Sequence, residues 1–343
     1  MPEAGLFVVV NHTAARAREA WPRVREALAR AGVGFEAHES TRPGETEERT
    51  RAALAAGFGT VAAVGGDGTL SAAAAGCFEP LGVTDETDAP RAVNPEAALA
   101  LLPAGTGDDF ARGLTGGRRE PLEAWLARLV AHCRGVGPHV SDSGVSGGGR
   151  PRLRQAARRV DVLLGSVDDG ARRFVCLNAA TLGVGAEVAS RVAAQGAWVR
   201  RLPGEARFAL AAVPRLAAWR NRRVRLSVDG RVWQECGTNL LAVVNGTYAG
   251  GGMNFAPDAA VDDGLLDVLV VCDISRPALL RELARVRVGG HLINPKIKLT
   301  RGRHVRVETL AAADALGVEA DGDPRGSTPA EFRVLPSALR VVV

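Results

Sequence analysis

The stretch Thr60-Val61-Ala62-Ala63-Val64-Gly65-Gly66-Asp67-Gly68-Thr69 decides the fold. An apolar run that ends in glycines and passes at once into Leu70 to Cys77 predicts a strand, a tight turn and a helix. Leu6 to Val10 is a similar run, followed by Trp21, Val24, Leu28 and Ala31 at helical spacing; Pro22 is expected in that helix's first turn or at a kink. Ala98 to Leu102 is a third run, followed by Pro103-Ala104-Gly105-Thr106-Gly107 and a helix opening near Asp109. Repeated strand–turn–helix units predict an α/β domain with a parallel sheet and helices on its faces.

The glycine turns have a direct chemical use. Glycine lets the backbone approach phosphate oxygens, and the N–H groups at a helix start point at an anion. Asp67 opposes phosphate unless Mg2+ lies between them, and Thr69 adds a hydroxyl. Taken alone, the turn is equally a tight loop closed by an Asx hydrogen bond. Gly105-Thr106-Gly107-Asp108-Asp109 occupies the same position after another strand. In a parallel sheet both turns lie at the carboxyl edge, where open α/β sheets bind ligands. A Walker A loop is excluded because no lysine precedes Lys296, and no GxGxxG follows the first strand.

Segments 80–96 and 134–158 are rich in Pro, Gly, Ser and charge, and the second reads as a loop or linker. Residues 1–135, completed by 325–343, are therefore expected as one domain, 136–158 as the linker and 159–324 as a second domain. In the latter, Val160–Leu164, Phe174–Leu177, Val224–Val228, Leu240–Val244, Leu266–Val271, Ile297–Leu299 and Val305–Val307 are short strand-like runs. Helices are expected only near 186–219 and 276–288. Many strands and few helices predict an antiparallel β-sandwich. The closing run Leu339–Val343 is expected to return to the first domain.

With 343 residues, 46% of them apolar and 24% charged, the composition is that of a soluble globular protein of two domains. No apolar stretch reaches the ~20 residues of a membrane helix, and no basic segment precedes the short apolar run at the N-terminus, so a cytoplasmic protein is expected. Cys77, Cys133, Cys176, Cys236 and Cys272 are widely spaced, which supports neither a disulfide framework nor a zinc site. The net charge of +5 is compatible with anionic membranes, nucleic acids or phosphorylated ligands. Lys296 and Lys298 are the only lysines, so arginine reflects overall composition here; with 4% aromatic residues, stacking platforms for nucleic acid are not expected.

Gly65–Thr69 followed by Leu102-Pro103-Ala104-Gly105-Thr106-Gly107-Asp108-Asp109-Phe110-Ala111-Arg112 resembles the diacylglycerol kinase catalytic domain, whose superfamily includes sphingosine, ceramide and bacterial lipid kinases. The resemblance continues through Asn178–Gly183, Asn245–Gly252 and Ala256–Asp267, and ends near Glu319–Asp323. It implies an ATP- and Mg2+-dependent lipid kinase, most simply one that converts diacylglycerol to phosphatidic acid, with the nucleotide in the cleft between the domains. Around ATP it places Asn11, Thr13, Thr41, Gly65, Gly66, Asp67, Gly68, Thr69, Leu70, Ser71, Gly105 and Thr106. It makes Asp67 part of the catalytic Mg2+ network and Asp323 the base for the lipid hydroxyl, with Asp321 beside it. A structural Mg2+ is implied at Ala260, Asp263 and Leu265. The chain departs from the family at Asn11-His12-Thr13-Ala14-Ala15, where Asn-Pro-x-x-Gly is usual, and at Asp108, where asparagine is usual. Asp323 stands for the usual glutamate, one methylene shorter.

Residues 198–225 mix Trp198, Phe208, Leu216 and Trp219 with arginines, a surface that either packs on the core or docks on anionic lipid. The lipid substrate implies transient contact with the inner face of the membrane. An NAD kinase-like enzyme shares the GGDGT turn and is the alternative enzyme class; a lipid-binding pseudokinase is the non-enzymatic one.

Overall fold

The computed structural model describes residues 5–81, 89–135, 157–187 and 220–343. Strands β1 (Leu6–Asn11), β2 (Phe35–Ser40), β3 (Thr60–Gly65) and β4 (Ala98–Pro103) run parallel in the order β2-β1-β3-β4. Helices α1 (Ala15–Arg30), α2 (Glu45–Ala55), α3 (Asp67–Gly76), α4 (Asp109–Leu114) and α5 (Leu122–Cys133) fill the connections. Every residue of β3 is buried, as a strand covered on both faces must be. β2, at the sheet edge, reads Phe-Glu-Ala-His-Glu-Ser and buries only its last residue, so it carries no apolar signal. Pro22 lies in the middle of α1, not in its first turn, because the helix already begins at Ala15.

The rest of the chain is mainly antiparallel. It contains β5 (Ala157–Val167), β6 (Arg172–Cys176), β7 (Ala179–Gly183), β8 (Arg222–Val228), β9 (Arg231–Val244), the small hairpin β10 (Tyr248–Ala249) and β11 (Met253–Asn254), and β12 (Leu266–Cys272). Then come α6 (Arg276–Arg285), 3-10 turns at Val286–Val288 and Gly290–Ile293, β13 (Ile297–Gly302), β14 (His304–Thr309), β15 (Gly317–Ala320), β16 (Asp323–Ser327) and β17 (Ala330–Val342). The architecture is thus α/β with parallel strands, joined to an antiparallel sandwich-like region, as the strand and helix pattern predicts. Residues 188–219, which include most of the expected first helix and of the arginine-rich surface, and residues 136–156 of the expected linker lie outside the described residues. Residues 157–158 already belong to β5.

β17 joins the two regions. Its last residues, Arg340–Val342, pair parallel with Ala98–Ala100 of β4, while Ala330–Arg333 pair antiparallel with β14. Along its length it also pairs antiparallel with β5, with an irregularity between Leu335 and Leu339. Val160, Val162, Leu339 and Val341 pack into the core under the parallel sheet. Leu163, Val167, Phe332 and Val334 pack into the antiparallel core. Asp161 pins the irregularity: its carboxylate accepts the N–H groups of Ser337 and Gly264, each at 2.7 Å.

One expectation is overturned. Cys236 and Cys272 form a disulfide, with Cα atoms 5.7 Å apart. They are 36 residues apart in the chain, but β9 and β12 are antiparallel neighbours, and Cys272 pairs with Thr238. Such proximity is set by strand register, which cysteine spacing does not reveal. Cys77, Cys133 and Cys176 are free thiols.

Asp161 is 1% exposed, and its removal leaves two part-buried N–H donors without their charged acceptor. Asp161→Ala is expected to lower the unfolding free energy by about 2–4 kcal/mol in urea titrations, whereas a loss under about 0.5 kcal/mol contradicts the pin.

Candidate active site

The carboxyl ends of the parallel strands gather most of the residues expected around a nucleotide. Asn11, at the end of β1, donates from Nδ2 to Thr69 Oγ1 at 3.0 Å and accepts from the Thr13 N–H and hydroxyl at 3.1 and 2.6 Å. His12 stands where proline is usual in the family, and its N–H donates to Ser40 O at 3.0 Å, a bond proline cannot make. Gly65 and Gly66 lead into α3, where Thr69, Leu70 and Ser71 are buried and Ser71 Oγ has no hydrogen-bond partner among the described residues.

The second turn packs on the first, backbone to backbone. A Cβ on Gly105 would stand 2.5 Å from the Gly66 Cα, closer than real side chains tolerate, so Gly105 requires glycine; one on Gly66 would stand 3.0 Å from the Gly105 Cα, a tight contact. Asp108 has φ +51°, the left-handed region that aspartate and asparagine tolerate better than most residues. Its Oδ1 accepts the Gly105 N–H at 2.9 Å, and its Oδ2 pairs with Arg119 at 2.9 Å. The extra charge relative to asparagine is thereby matched within the turn. Arg16 donates to Gly105 O at 2.9 Å. Both arginines, with Arg112 and Arg118, line a cavity of about 360 Å³ beside this turn.

Asp67 and Asp109 form the electrostatic centre. A Cβ on Gly107 would lie 3.0 Å from Asp67 Oδ2 and 3.3 Å from Asp109 Oδ2, so both carboxylates converge on this glycine. Asp67 Oδ1 accepts the Phe110 N–H at 3.3 Å, and Asp109 Oδ2 accepts the Gly251 N–H at 2.7 Å. Asp109 Oδ1 is buried without a hydrogen-bond partner among the described residues. Burial, followed by the charges of Asp109 and Asp108, pushes the Asp67 carboxyl up to about 7. Burial also raises Asp109, against the Gly251 N–H and Arg112. Two hard-oxygen ligands, one with an orphaned oxygen, suit Mg2+ that brings its own waters and phosphate ligands. Among the described residues no group of three His, Cys, Asp or Glu side chains is arranged to hold a metal.

The antiparallel region contributes the turn Asp321-Gly322, which joins β15 to β16 as a two-residue hairpin with φ +49° and +94°. The Asp321 carbonyl oxygen lies 3.9 Å from where a Cβ on Gly68 would stand, so this turn faces the first glycine turn. Its carboxylate accepts the N–H groups of Leu177, Asn178 and Ala179 at 2.7, 3.1 and 3.0 Å. That engagement makes Asp321 a clamp on the backbone rather than a free acid. Asp323 retains 63% side-chain accessibility and lies 3.5 Å from Arg325. Reduced solvation raises its carboxyl, opposed by Arg325 and reinforced by Asp321. Glu319, buried and hydrogen-bonded by the Thr181 hydroxyl at 2.6 Å, is pushed up to about 7 by that burial; its other oxygen accepts the Gly322 N–H.

Other expected residues are placed differently. Thr41 lies at the end of β2, but its N–H donates to Glu45 at 2.7 Å, which holds the Glu45 carboxyl down at about 2 with help from His38. Thr41 is thereby tied to the turn that enters α2, whose N-cap is Gly44. Ala260, Asp263 and Leu265 share one turn, in which Asp263 Oδ1 accepts the Leu265 N–H at 3.0 Å. Arg16, Arg119, Asp109 and Glu319 are site residues that motif reading did not single out. Asp109 and Glu319 did carry a signal, since Asp109 stands inside the second glycine turn and Glu319 opens the block Glu319–Asp323.

Comparison with known proteins assigns this fold and site to the phosphotransferases with an alcohol group as acceptor. Residues 5–136 match the diacylglycerol kinase catalytic domain, and residues 179–343 match the YegS C-terminal NAD kinase beta sandwich-like domain. A Pseudomonas aeruginosa protein named "Probable lipid kinase YegS-like" is 31% identical over 299 residues, covering 87% of this chain and 81% of its own. A diacylglycerol kinase of Mycobacterium tuberculosis is 29% identical, with 90% and 83% covered. The crystal structure of a diacylglycerol kinase from Bacillus anthracis superposes with a TM-score of 0.64 at 18% identity, over 100% of this chain and 97% of the other, which establishes a shared fold. The chain belongs to the YegS-like lipid kinases of the diacylglycerol kinase catalytic-domain family.

The Asp67 shift has a measurable sign. Its folded value of about 7 lies above the ordinary 3.8, so its contribution to stability is full below pH 3.8 and is lost as pH rises towards 7. Without divalent cations, Asp67→Asn should melt higher than the parent above about pH 7, by roughly 2–4 kcal/mol, with the gap closing below about pH 4. Parallel melting curves across that range would remove the claim.

Proposed function

We propose that the chain transfers the γ-phosphoryl group of ATP to a lipid hydroxyl, most simply converting diacylglycerol to phosphatidic acid. One observation carries the reading: the two glycine turns abut with Asp67 and Asp109 converging beside them, and the Asp321-Gly322 turn faces Gly68 from the other region. In this reading residues 1–135 with 325–343 carry the nucleotide, and 159–324 carry the lipid. Backbone N–H groups at Gly65–Ser71, with Gly105 and Thr106, cradle the phosphates, while Asn11 holds Thr13 and Thr69 in place.

Asp67 and Asp109 would hold Mg2+, which supplies charge neutralisation on the transferred phosphoryl group. Asp263, with the Ala260 and Leu265 carbonyls, would hold a second, structural Mg2+. Asp323 accepts the proton of the attacking hydroxyl; its raised carboxyl pKa makes it a stronger base than an ordinary aspartate. Asp321 positions that hairpin through its three backbone bonds. The reaction takes place on the cytoplasmic face of a membrane, with the protein bound there transiently.

The test offers radiolabelled ATP and Mg2+ with diacylglycerol vesicles, a total lipid extract or NAD. Labelled phosphatidic acid is expected. Label on NAD with none on lipid would overturn the reading in favour of an NAD kinase, and no transfer to any acceptor would indicate a pseudokinase. Asp323→Ala should lower kcat by about 10²–10⁴-fold without changing the melting temperature, and Asp323→Glu should retain turnover. Undiminished kcat in Asp323→Ala moves the base elsewhere.

A further inference from the structure

The two most exposed large apolar side chains among the described residues are Val288, at 81%, and Ile293, at 84%. Both follow α6 in the 3-10 turns. On α6 itself Leu279 and Glu282 are buried, as is Val286 just beyond it, so that side faces the antiparallel core. Leu280, Ala284 and Val288 recur every four residues on the outward side, with Leu280 37% exposed. Exposed Arg276, Arg281, Arg285 and Arg287 flank this stripe, and exposed Lys296 and Lys298 follow it.

The charge is concentrated to match. Segment 276–298 holds six basic residues and one acid, the buried Glu282, for a net +5. The whole chain is also +5, so the remainder is balanced. An apolar stripe bordered by cations fits the interface of an anionic bilayer. A symmetric second copy fits poorly, since a two-fold contact would set this basic patch against itself.

The surface is anchored to the core and linked to the active site. His291 is buried and within 3.2 Å of Phe255 O, and a Cβ on Gly289 would meet Pro257 at 2.9 Å. The adjoining β10–β11 hairpin places Tyr248 under Arg112 of α4 and directs the Gly251 N–H to Asp109.

We infer that α6 and the turn Val286–Ile293 form the surface that docks this enzyme on an anionic membrane, with Val288 and Ile293 inserted among the acyl chains and the arginines at the headgroups. The inference rests on the lipid-kinase reading for its purpose but not for its test. The full chain is sedimented with phosphatidylcholine vesicles, with and without phosphatidylglycerol. Binding is expected only with the anionic lipid and should weaken with salt. Val288→Ser/Ile293→Ser should lower partitioning about tenfold, and Arg281→Gln a few-fold, with melting curves unchanged. In turnover assays the double variant should lose activity on vesicle-borne diacylglycerol but keep it on a dispersed short-chain analogue.

Equal binding to neutral vesicles, or variants that sediment like the parent, would overturn the inference. So would a dimer in gel filtration that the double variant dissolves, since the face would then be a subunit interface. If no lipid is phosphorylated, the functional reading fails while the sedimentation result still decides the docking surface.

Discussion

The antiparallel pairing of β5 with β17 is the contact on which the rest of the molecule depends. Ten register pairs join the two strands, and each strand supplies side chains to both cores. Because β17 also pairs with β4 at one end and β14 at the other, the parallel and antiparallel regions share one continuous sheet. The position of the Asp321-Gly322 turn over Gly68 follows from that continuity. Without it, the acids of the antiparallel region would have no fixed relation to the glycine turns.

Charge in the site is arranged by burial and by local pairing. Asp67 and Asp109 are held in a poorly solvated pocket where ionisation is costly, so they are suited to share a cation. Asp108 stands beside them but is neutralised by Arg119 and bonded to the Gly105 N–H. Asp321 is surrounded by backbone donors. Four aspartates within three turns thus have three different functions, set by their surroundings rather than by their side-chain chemistry.

Much of this was legible in the sequence because it is local. A strand, a glycine turn and a helix follow one another at Thr60–Gly76 and again at Ala98–Leu114, and both turns lie where a parallel sheet must put them. Many antiparallel strands beyond residue 157 were legible as short apolar runs, but β7, β15, β16 and the first part of β17 were not. Edge strand β2 was not, since most of its residues are polar and only Phe35 packs an apolar side chain of any size on the core. Features set by pairing between distant segments were also hidden. The Cys236–Cys272 disulfide needs the β9–β12 register, and the Arg119–Asp108 pair needs the fold of the loop after α4. Thr41 and Asp321 were recognisable as residues near the site, but their roles depend on hydrogen-bond partners that no motif encodes.

The shared ribbon of β5 and β17 also has a mechanical consequence. Domains joined by a flexible strap can swing apart at little cost, because only a few backbone torsions need to change. Here the described connection is a hydrogen-bonded two-stranded beam, braced at its irregularity by Asp161. Wide separation of its two halves would break ladder bonds and uncover both cores. The two regions are therefore coupled as a sprung beam couples its ends, so that relative motion must come from twisting the ribbon rather than from a hinge in it.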